Sequence, residues 1–235
     1  MPATGSNPSP AIKSIRISAD GLSFFGDVAR SIRYDRPDTR YARSVSYCLC
    51  APELRDTDPA TVWVATPACM PLPAGLFGTD DAARLLRWQY PGTDIRDVRS
   101  ERLREGITVA YALSPDLSGF LEERFPEARV SHPDIPLISH LTAETARGQM
   151  QALYLHPQGG YCAAAWADRG LLTGYNRFAV TSADDLLYYT GTVLRAMRLP
   201  QAEARVTLFE DNACLQALQE RLPKLQYQPL PPCAL

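Results

Sequence analysis

The feature that most restricts the fold of this sequence is a three-strand pattern that occurs twice. Short apolar runs lie within residues 12–34, and a tight turn at Asp20-Gly21 joins the first two. Three further apolar runs lie within residues 151–178, again separated by turn residues such as Asp168-Arg169-Gly170. The two patterns predict a three-stranded meander at the start of each half of the chain.

Alternating helices and strands are predicted after each meander. After the first they fall at residues 40–51, 61–65, 115–125, 128–131 and 136–147. After the second they comprise a helix that starts near Thr181 and ends at Pro200, a strand at residues 205–209, and a last helix carrying Leu215, Leu218 and Leu222. The same order in both halves indicates duplication of one fold unit, with two lobes that face each other across a cleft.

Residues from about 67 to 106 interrupt the order of the first half and are predicted to be an insertion. This segment starts with several prolines, continues with a helix whose first turn carries Asp80 and Asp81, and closes with two strands. We therefore expect a mobile leader at residues 1–11, a first lobe at 12–147 with the insertion at about 67–106, and a second lobe at 148–235. Three tryptophans are predicted to be core or lobe-contact residues: Trp63, Trp88 and Trp166.

Composition excludes several classes of protein. Hydrophobic residues make up 46% and charged residues 21% of the chain, which excludes wholesale disorder. No apolar run approaches the roughly 20 residues that a membrane-spanning helix needs. The Pro-rich residues 1–11 do not resemble an export signal, so we expect a cytoplasmic protein without a membrane span. The net charge of -2 offers nucleic acid no general attraction, and we expect no nucleic-acid partner.

The cysteines predict no metal site. The six cysteines contain no C-x-x-C pair, and the three histidines stand apart from them in the sequence. The sequence therefore predicts small buried apolar residues at these positions: Cys48, Cys50, Cys69, Cys162, Cys214 and Cys233.

Four stretches carry a resemblance to a known family. They are IRISADGLSF, TVWVATPACMPLPAGLFGTDDAARLL, FPEARVSHPDIPLI and YNRFAVTSADDLLYYTGTVLRAMRL, in this order. Together they resemble an uncharacterised family of Bacteroidetes proteins of unknown function that has an actin-like ATPase fold, over residues 12 to about 222. The resemblance implies an α/β protein with two ribonuclease-H-like lobes in an actin-like ATPase arrangement, built from mixed sheets with flanking helices. It implies no particular reaction.

The residues that an actin-like ATPase needs for catalysis are not matched. Such an enzyme uses two phosphate loops, one per lobe, each with an acidic residue that positions magnesium and water. In the first loop Ser18 takes the acidic position and Asp20 the glycine position. In the second, His156 replaces the acid and Pro157 removes an N–H donor. We therefore predict no catalytic residue, no cofactor and no metal, and we expect an interaction or adaptor module whose insertion meets a protein partner.

A shift of the first loop by two residues keeps a nucleotide-binding alternative open. It makes Asp20 the acid and leaves Gly21 and Ser23 as donors, although Asp-Gly also closes a type I′ hairpin without any ligand. The candidate cofactor-binding residues are then Ser18, Asp20, Gly21, Ser23, Gln158, Gly159 and Gly160. A third possibility is a different small ligand in the cleft. Nuclease chemistry is excluded because residues 12–18 and 61–66 contain no carboxylate.

Overall fold

The computed structural model describes residues 12–27, 29–38, 40–51, 54, 58–104, 106–158, 160–201, 203–209 and 218–228. The strands are β1 Ile12–Ser18, β2 Gly21–Gly26, β3 Arg30–Arg33, β4 Thr61–Ala65, β5 Cys69–Pro73, β6 Asp97–Arg102, β7 Ile107–Leu113, β8 Arg129–Ser131, β9 Gln151–Gln158, β10 Tyr161–Asp168, β11 Leu171–Ala179, β12 Val206–Phe209 and β13 Leu225–Gln228. The helices are α1 Ala42–Cys50, α2 Thr79–Gln89, α3 Pro115–Arg124, α4 Asp134–Gly148 and α5 Ala183–Ala196.

Two five-stranded sheets repeat one topology. The first sheet has the order β3-β2-β1-β4-β8 and the second the order β11-β10-β9-β12-β13. In each, the first three strands in chain order form an antiparallel meander, and the last two run parallel to the meander's first strand. The predicted duplication is confirmed at the level of strand order, and both predicted meanders are present.

Strands β1 and β4 pair side by side in the first sheet, and alternate residues of both strands are buried in its core. Ile15 and Ile17 of β1 are fully buried, and so are Val62 and Val64 of β4, which pair with them in parallel register. Helices α1 and α3 contribute to the same apolar cluster. Because alternate side chains of a strand point to opposite faces, each strand leaves a second set of residues facing away from this cluster.

Helix α4 joins the two large sheets. It packs against β9, β10 and β11, while its buried apolar residues belong to the same cluster as those of β1 and β4. The opposite face of the second sheet packs on α5 in a separate cluster that includes Leu155, Leu186 and Leu208. One continuous core therefore runs from the first sheet to one face of the second, which fixes the two sheets relative to each other.

A third sheet, of three strands, has the order β5-β7-β6 and carries α2. The segment predicted as an insertion provides β5, α2 and β6 of this sheet. Strand β5 was not predicted from the sequence, because Pro71 and Pro73 are poor residues for a strand. Strand β13, at the far edge of the second sheet, was not predicted either.

Several local expectations need correction. The helix predicted to start near Thr181 is α5, and its capping box is formed by Ser182 and Asp185. Trp88 is 77% exposed instead of buried, because Ala82 and Leu86 occupy the core-facing side of α2 and residue 88 points away from it. Trp63 is buried as predicted, and Trp166 is partly buried.

The prediction that the cysteines are small buried residues is confirmed in part. Cys48, Cys69 and Cys162 are buried and free, whereas Cys50 is exposed near the end of α1. Cys214, Cys233, the leader at residues 1–11 and most of the last predicted helix lie outside the described residues.

Candidate functional site

A cleft of about 470 Å³ lies between the β1–β2 turn and the β9–β10 turn, and we call it the hairpin cleft. Among the seven candidate cofactor-binding residues, these line it: Ser18, Asp20, Gly21, Ser23, Gln158 and Gly160. Gly159 lies outside the described residues. Arg16 and Arg33 line the same cleft. The fold thus brings residues from the two distant turns together, although their role in binding a ligand stays a prediction.

Most of the candidate groups of the first turn are used by the sheet itself. The Ser18 hydroxyl donates to the Gly21 carbonyl oxygen at 2.9 Å, and the Ser31 hydroxyl donates to Ser23 Oγ at 3.0 Å. Gly21 has a φ of 154°, and a Cβ at this position would lie 2.0 Å from the Ile32 carbonyl oxygen of β3. Glycine is therefore required at residue 21 by the close approach of β3, without any ligand.

A buried carboxylate, Asp134, lies next to the hairpin cleft. It is the first residue of α4 and is fully buried. Its Oδ2 accepts from the Tyr175 hydroxyl at 2.6 Å and from Arg177 Nη2 at 3.0 Å. Its Oδ1 lies 3.2 Å from His156 Nδ1 and 3.3 Å from the Gln158 amide nitrogen. The buried acid beside the cleft therefore comes from α4, whereas Asp20 of the first turn lines the cleft itself.

Asp134 and Arg177 form a desolvated ion pair, with side-chain exposures of 0% and 4%. Burial by itself raises the pKa of Asp134, but the charge of Arg177 and the contacts with the histidines outweigh it and hold that pKa well below its usual range. Asp134 is therefore ionised, and protein groups contact both of its oxygens.

His132 completes what we call the polar network, which consists of Asp134, His132, His156, Gln158, Tyr175 and Arg177. His132 is fully buried, with Nε2 3.1 Å from the Thr66 carbonyl oxygen, and its Nδ1 accepts from the Asp134 backbone N–H at 3.1 Å. This geometry assigns the proton of the neutral ring to Nε2. Burial lowers the pKa of His132 to about 4, so the ring is neutral at pH 7.

The fold brings a cysteine and a histidine together that the sequence keeps apart. Ligand atoms of Cys69, His132 and Asp134 lie within 4.8 Å of one another. Both ring nitrogens of His132 are already hydrogen-bonded, and the positive charge of Arg177 beside Asp134 repels a cation. Burial raises the pKa of the Cys69 thiol to about 12, so the thiolate that a metal would need is disfavoured. These donors fit a structural network better than a metal centre.

Arg177 also ties the second sheet to the end of β4. Its guanidinium donates to the Thr66 carbonyl oxygen and lies 4.4 Å from the centre of the Tyr161 ring. The hydroxyls of Tyr161 and Tyr41 both donate to the Ala65 carbonyl oxygen, at 3.4 and 3.1 Å. The two sheets are therefore clamped together at the base of the hairpin cleft.

Sequence reasoning identified His156 and Gln158 at this place but missed Asp134 and Arg177. Asp134 stands in the His-Pro-Asp sequence that opens α4, where an acid also suits the helix dipole. Arg177 is a charged residue near the end of the predicted strand that became β11. A charged residue inside a strand could have indicated a buried ion pair.

Comparison with known proteins places the chain in a family. No curated protein is detectably similar to this sequence. Residues 58–225 match the family model described as a protein of unknown function, DUF3822. The chain belongs to the DUF3822 family.

Solved structures agree on the fold of this DUF3822 protein. A Bacteroides thetaiotaomicron VPI-5482 protein, described as having an actin-like ATPase fold and unknown function, is 18% identical with a TM-score of 0.77, over 94% of this chain and 91% of that one. The PilM-PilN type IV pilus biogenesis complex contains a chain that is 14% identical with a TM-score of 0.54, over 93% and 89% of the two chains. The DUF3822 protein therefore has the two-lobed actin-like ATPase fold, and the resemblance seen in the sequence is confirmed.

The family assignment and the fold leave the reaction, if any, undefined. Among the helices that the structure describes, none combines the length and the apolar character of a transmembrane span.

Proposed function

We propose that this DUF3822 protein is a non-catalytic interaction module, in which the two-lobed scaffold presents the segment at residues 67–106 to a protein partner. The observation that carries this proposal is the exposure of large apolar side chains on that segment. Leu76 is 73%, Phe77 42% and Trp88 77% exposed. Aromatic and large apolar residues provide most of the binding energy in protein interfaces, and several of them exposed on one small unit indicate a contact surface.

The hairpin cleft supports the non-catalytic part of this proposal. Its buried acid, Asp134, is neutralised by Arg177 and contacted by the other members of the polar network. A carboxylate that seats a hydrated magnesium ion needs free oxygen lone pairs that face the ion. Protein groups contact both carboxylate oxygens of Asp134. The fold is also compatible with a protein partner, since one solved protein that shares it is part of the PilM-PilN complex.

Affinity capture from the native cell tests the proposal. The bait is the full chain, compared with a variant that carries Leu76→Ser, Phe77→Ser and Trp88→Ser. Leu49→Ser is the matched control, because Leu49 is 62% exposed on α1, outside the segment. We expect a partner that wild type and control retain equally and that the triple variant loses by at least about tenfold, with unchanged thermal stability. Equal capture by all three proteins contradicts the proposal.

A second candidate function is nucleotide binding in the hairpin cleft. It is favoured by one observation: the candidate residues of both turns and two arginines, Arg16 and Arg33, line a single cleft of suitable size. Titration with ATP, ADP and magnesium at millimolar concentration, read out as thermal stability, separates the two proposals. A ligand at about 100 times its Kd stabilises by about 2.7 kcal/mol, which raises Tm by several degrees. An unchanged Tm supports the interaction module.

A further inference from the structure

A second groove, of about 540 Å³, lies between β5 of the three-stranded sheet and β11 of the second large sheet. We call it the edge groove, because β5 and β11 are each the terminal strand of their sheet in the described structure. None of the described residues that line it carries a charged side chain. Its walls include Met70, Ile107 and Leu171, and Leu171 is 70% exposed.

The edge of β5 is poorly suited to pair with a further strand. In the β5–β7 ladder, Ala112 N–H donates to the Ala68 carbonyl oxygen and Ala74 N–H to the Gly106 carbonyl oxygen. Bonds to the partner strand alternate along an antiparallel ladder, so residues 69, 71 and 73 direct their backbone groups away from β7. Residues 71 and 73 are prolines without an N–H group, and the Tyr90 hydroxyl occupies the carbonyl oxygen of residue 69.

The edge of β11 remains able to pair. Val180 N–H donates to the Gly160 carbonyl oxygen, and the register of β10 with β11 then places residues 174, 176 and 178 in bonds to β10. Residues 175 and 177 direct their backbone groups outward. The side chain of Asn176 already accepts the Arg177 N–H at 2.8 Å. Of these two residues Tyr175 lines the edge groove, so its outward backbone groups face that groove.

We propose that the edge groove binds an extended, uncharged, apolar segment of a partner protein, which adds to β11 as a further strand beside Tyr175. This proposal rests on the interaction function proposed above and specifies its surface and its partner's chemistry. The absence of charge in the described lining selects against charged side chains, which would lose hydration without gaining a counter-charge. The proline edge of β5 forms the second wall and leaves β11 as the single pairing edge of the groove.

Selection from a phage-displayed library of random decapeptides, with the full chain as target, tests this inference. We expect enriched peptides that lack Asp, Glu, Lys and Arg in their binding core. Synthetic copies of such a peptide, each with one N-methylated amide, report the binding mode. If the peptide pairs with β11 beside Tyr175, methylation of the one amide that faces the Tyr175 carbonyl oxygen weakens binding, whereas methylation of either neighbouring amide does not.

Variants locate the peptide on the protein. Leu171→Asp places a charge in the edge groove and is expected to weaken peptide binding by at least about tenfold. Leu49→Asp is the matched control and should bind as wild type does. The inference is overturned when no uncharged apolar peptide is enriched, when no single N-methylation weakens binding more than methylation of the neighbouring amides, or when Leu171→Asp binds normally.

Capture of the native partner by the two sets of variants distinguishes failure of the edge-groove proposal from failure of the proposed interaction function. In one outcome the partner is lost by the variant at Leu76, Phe77 and Trp88 but fully retained by Leu171→Asp. The proposed interaction function then stands, and the edge groove has no part in it. If both variants retain the partner, both the proposed interaction function and the edge-groove proposal are wrong. Loss in both supports a contact that extends from the exposed apolar residues of the segment into the groove.

Discussion

The hairpin cleft and the edge groove have similar volumes, about 470 and 540 Å³, but opposite chemistry. Beside the hairpin cleft, an ionised acid and its arginine are buried and bonded to each other and to neighbouring side chains. Along the edge groove, no described side chain is charged, and the backbone of one strand edge remains to be paired.

This contrast suggests a division of roles, in which the polar network stabilises the fold and the edge groove binds the proposed peptide segment. Breaking a buried ion pair costs several kcal/mol, so substitutions in the polar network should affect folding first. Substitutions of exposed side chains along an edge groove cost little and should affect binding first. The following experiments test this division.

Arg177→Met should have the largest effect on stability. It leaves Asp134 buried without its cation, and removing one partner of a buried ion pair costs about 3 to 5 kcal/mol. Arg84→Met is the matched control, because the Arg84 side chain is 79% exposed and its loss should cost less than about 0.5 kcal/mol. Urea denaturation measures both.

A second substitution shows whether the buried charge is the cause. Adding Asp134→Asn to Arg177→Met removes the unpaired charge and should restore part of the lost free energy of unfolding. If Arg177→Met unfolds within about 1 kcal/mol of wild type, the polar network does not hold the two sheets together.

Acidification should have the next largest effect, through His132. Its pKa of about 4 in the folded protein lies below the ordinary value of 6.5, so the unfolded chain binds a proton that the folded chain rejects. The free energy of unfolding should therefore fall by about 3 kcal/mol between pH 6.5 and pH 4. The low pKa of Asp134 adds a further loss only below this window, as the pH falls from the unfolded pKa of about 3.9 toward the folded one.

Urea denaturation at a series of pH values measures the effect. His132→Asn removes the titrating ring and should flatten the dependence between pH 6.5 and pH 4, whatever its own stability. A slope that is equally steep in the variant shows that another group is responsible.

The fold was largely predictable from the sequence because its signals are local. The Asp-Gly turn, the apolar alternation of β1 and the run from Thr61 to Ala65 each report the conformation of neighbouring residues. The position of Trp88 was mispredicted because a tryptophan's burial depends on the face of the helix it occupies, and the run of apolar letters does not reveal that face.

The polar network was much less predictable. Asp134 and Arg177 are 43 residues apart in sequence and meet only after α4 packs on the second sheet. No local spacing connects an acid that opens a helix with an arginine in a distant strand. The candidate loops of the hairpin cleft were found because each is a turn with its own sequence pattern, whereas the edge groove depends on two strand edges from different sheets.

Gly21→Ala should destabilise the protein by about 1 to 3 kcal/mol, since the new Cβ would clash with the backbone of β3 at Ile32. Gly160→Ala in the second turn is the control. Gly160 also has a positive φ, of 91°, but apart from its own chain neighbours no described residue lies within 4 Å of the position that its Cβ would take, so about 1 kcal/mol of backbone strain is expected. Equal costs at both glycines would show that the close approach of β3 does not matter.

Leu171→Ser should have the smallest effect on stability, less than about 0.5 kcal/mol, because this side chain is 70% exposed at the edge groove. Urea denaturation measures the change, and hydrogen exchange at the Asn176 amide, which bonds to β10, reports whether β11 stays paired in its sheet. A loss above about 1 kcal/mol would mean that Leu171 supports the fold. The division between a hairpin cleft that stabilises and an edge groove that binds would then fail, since the same residues would serve both purposes.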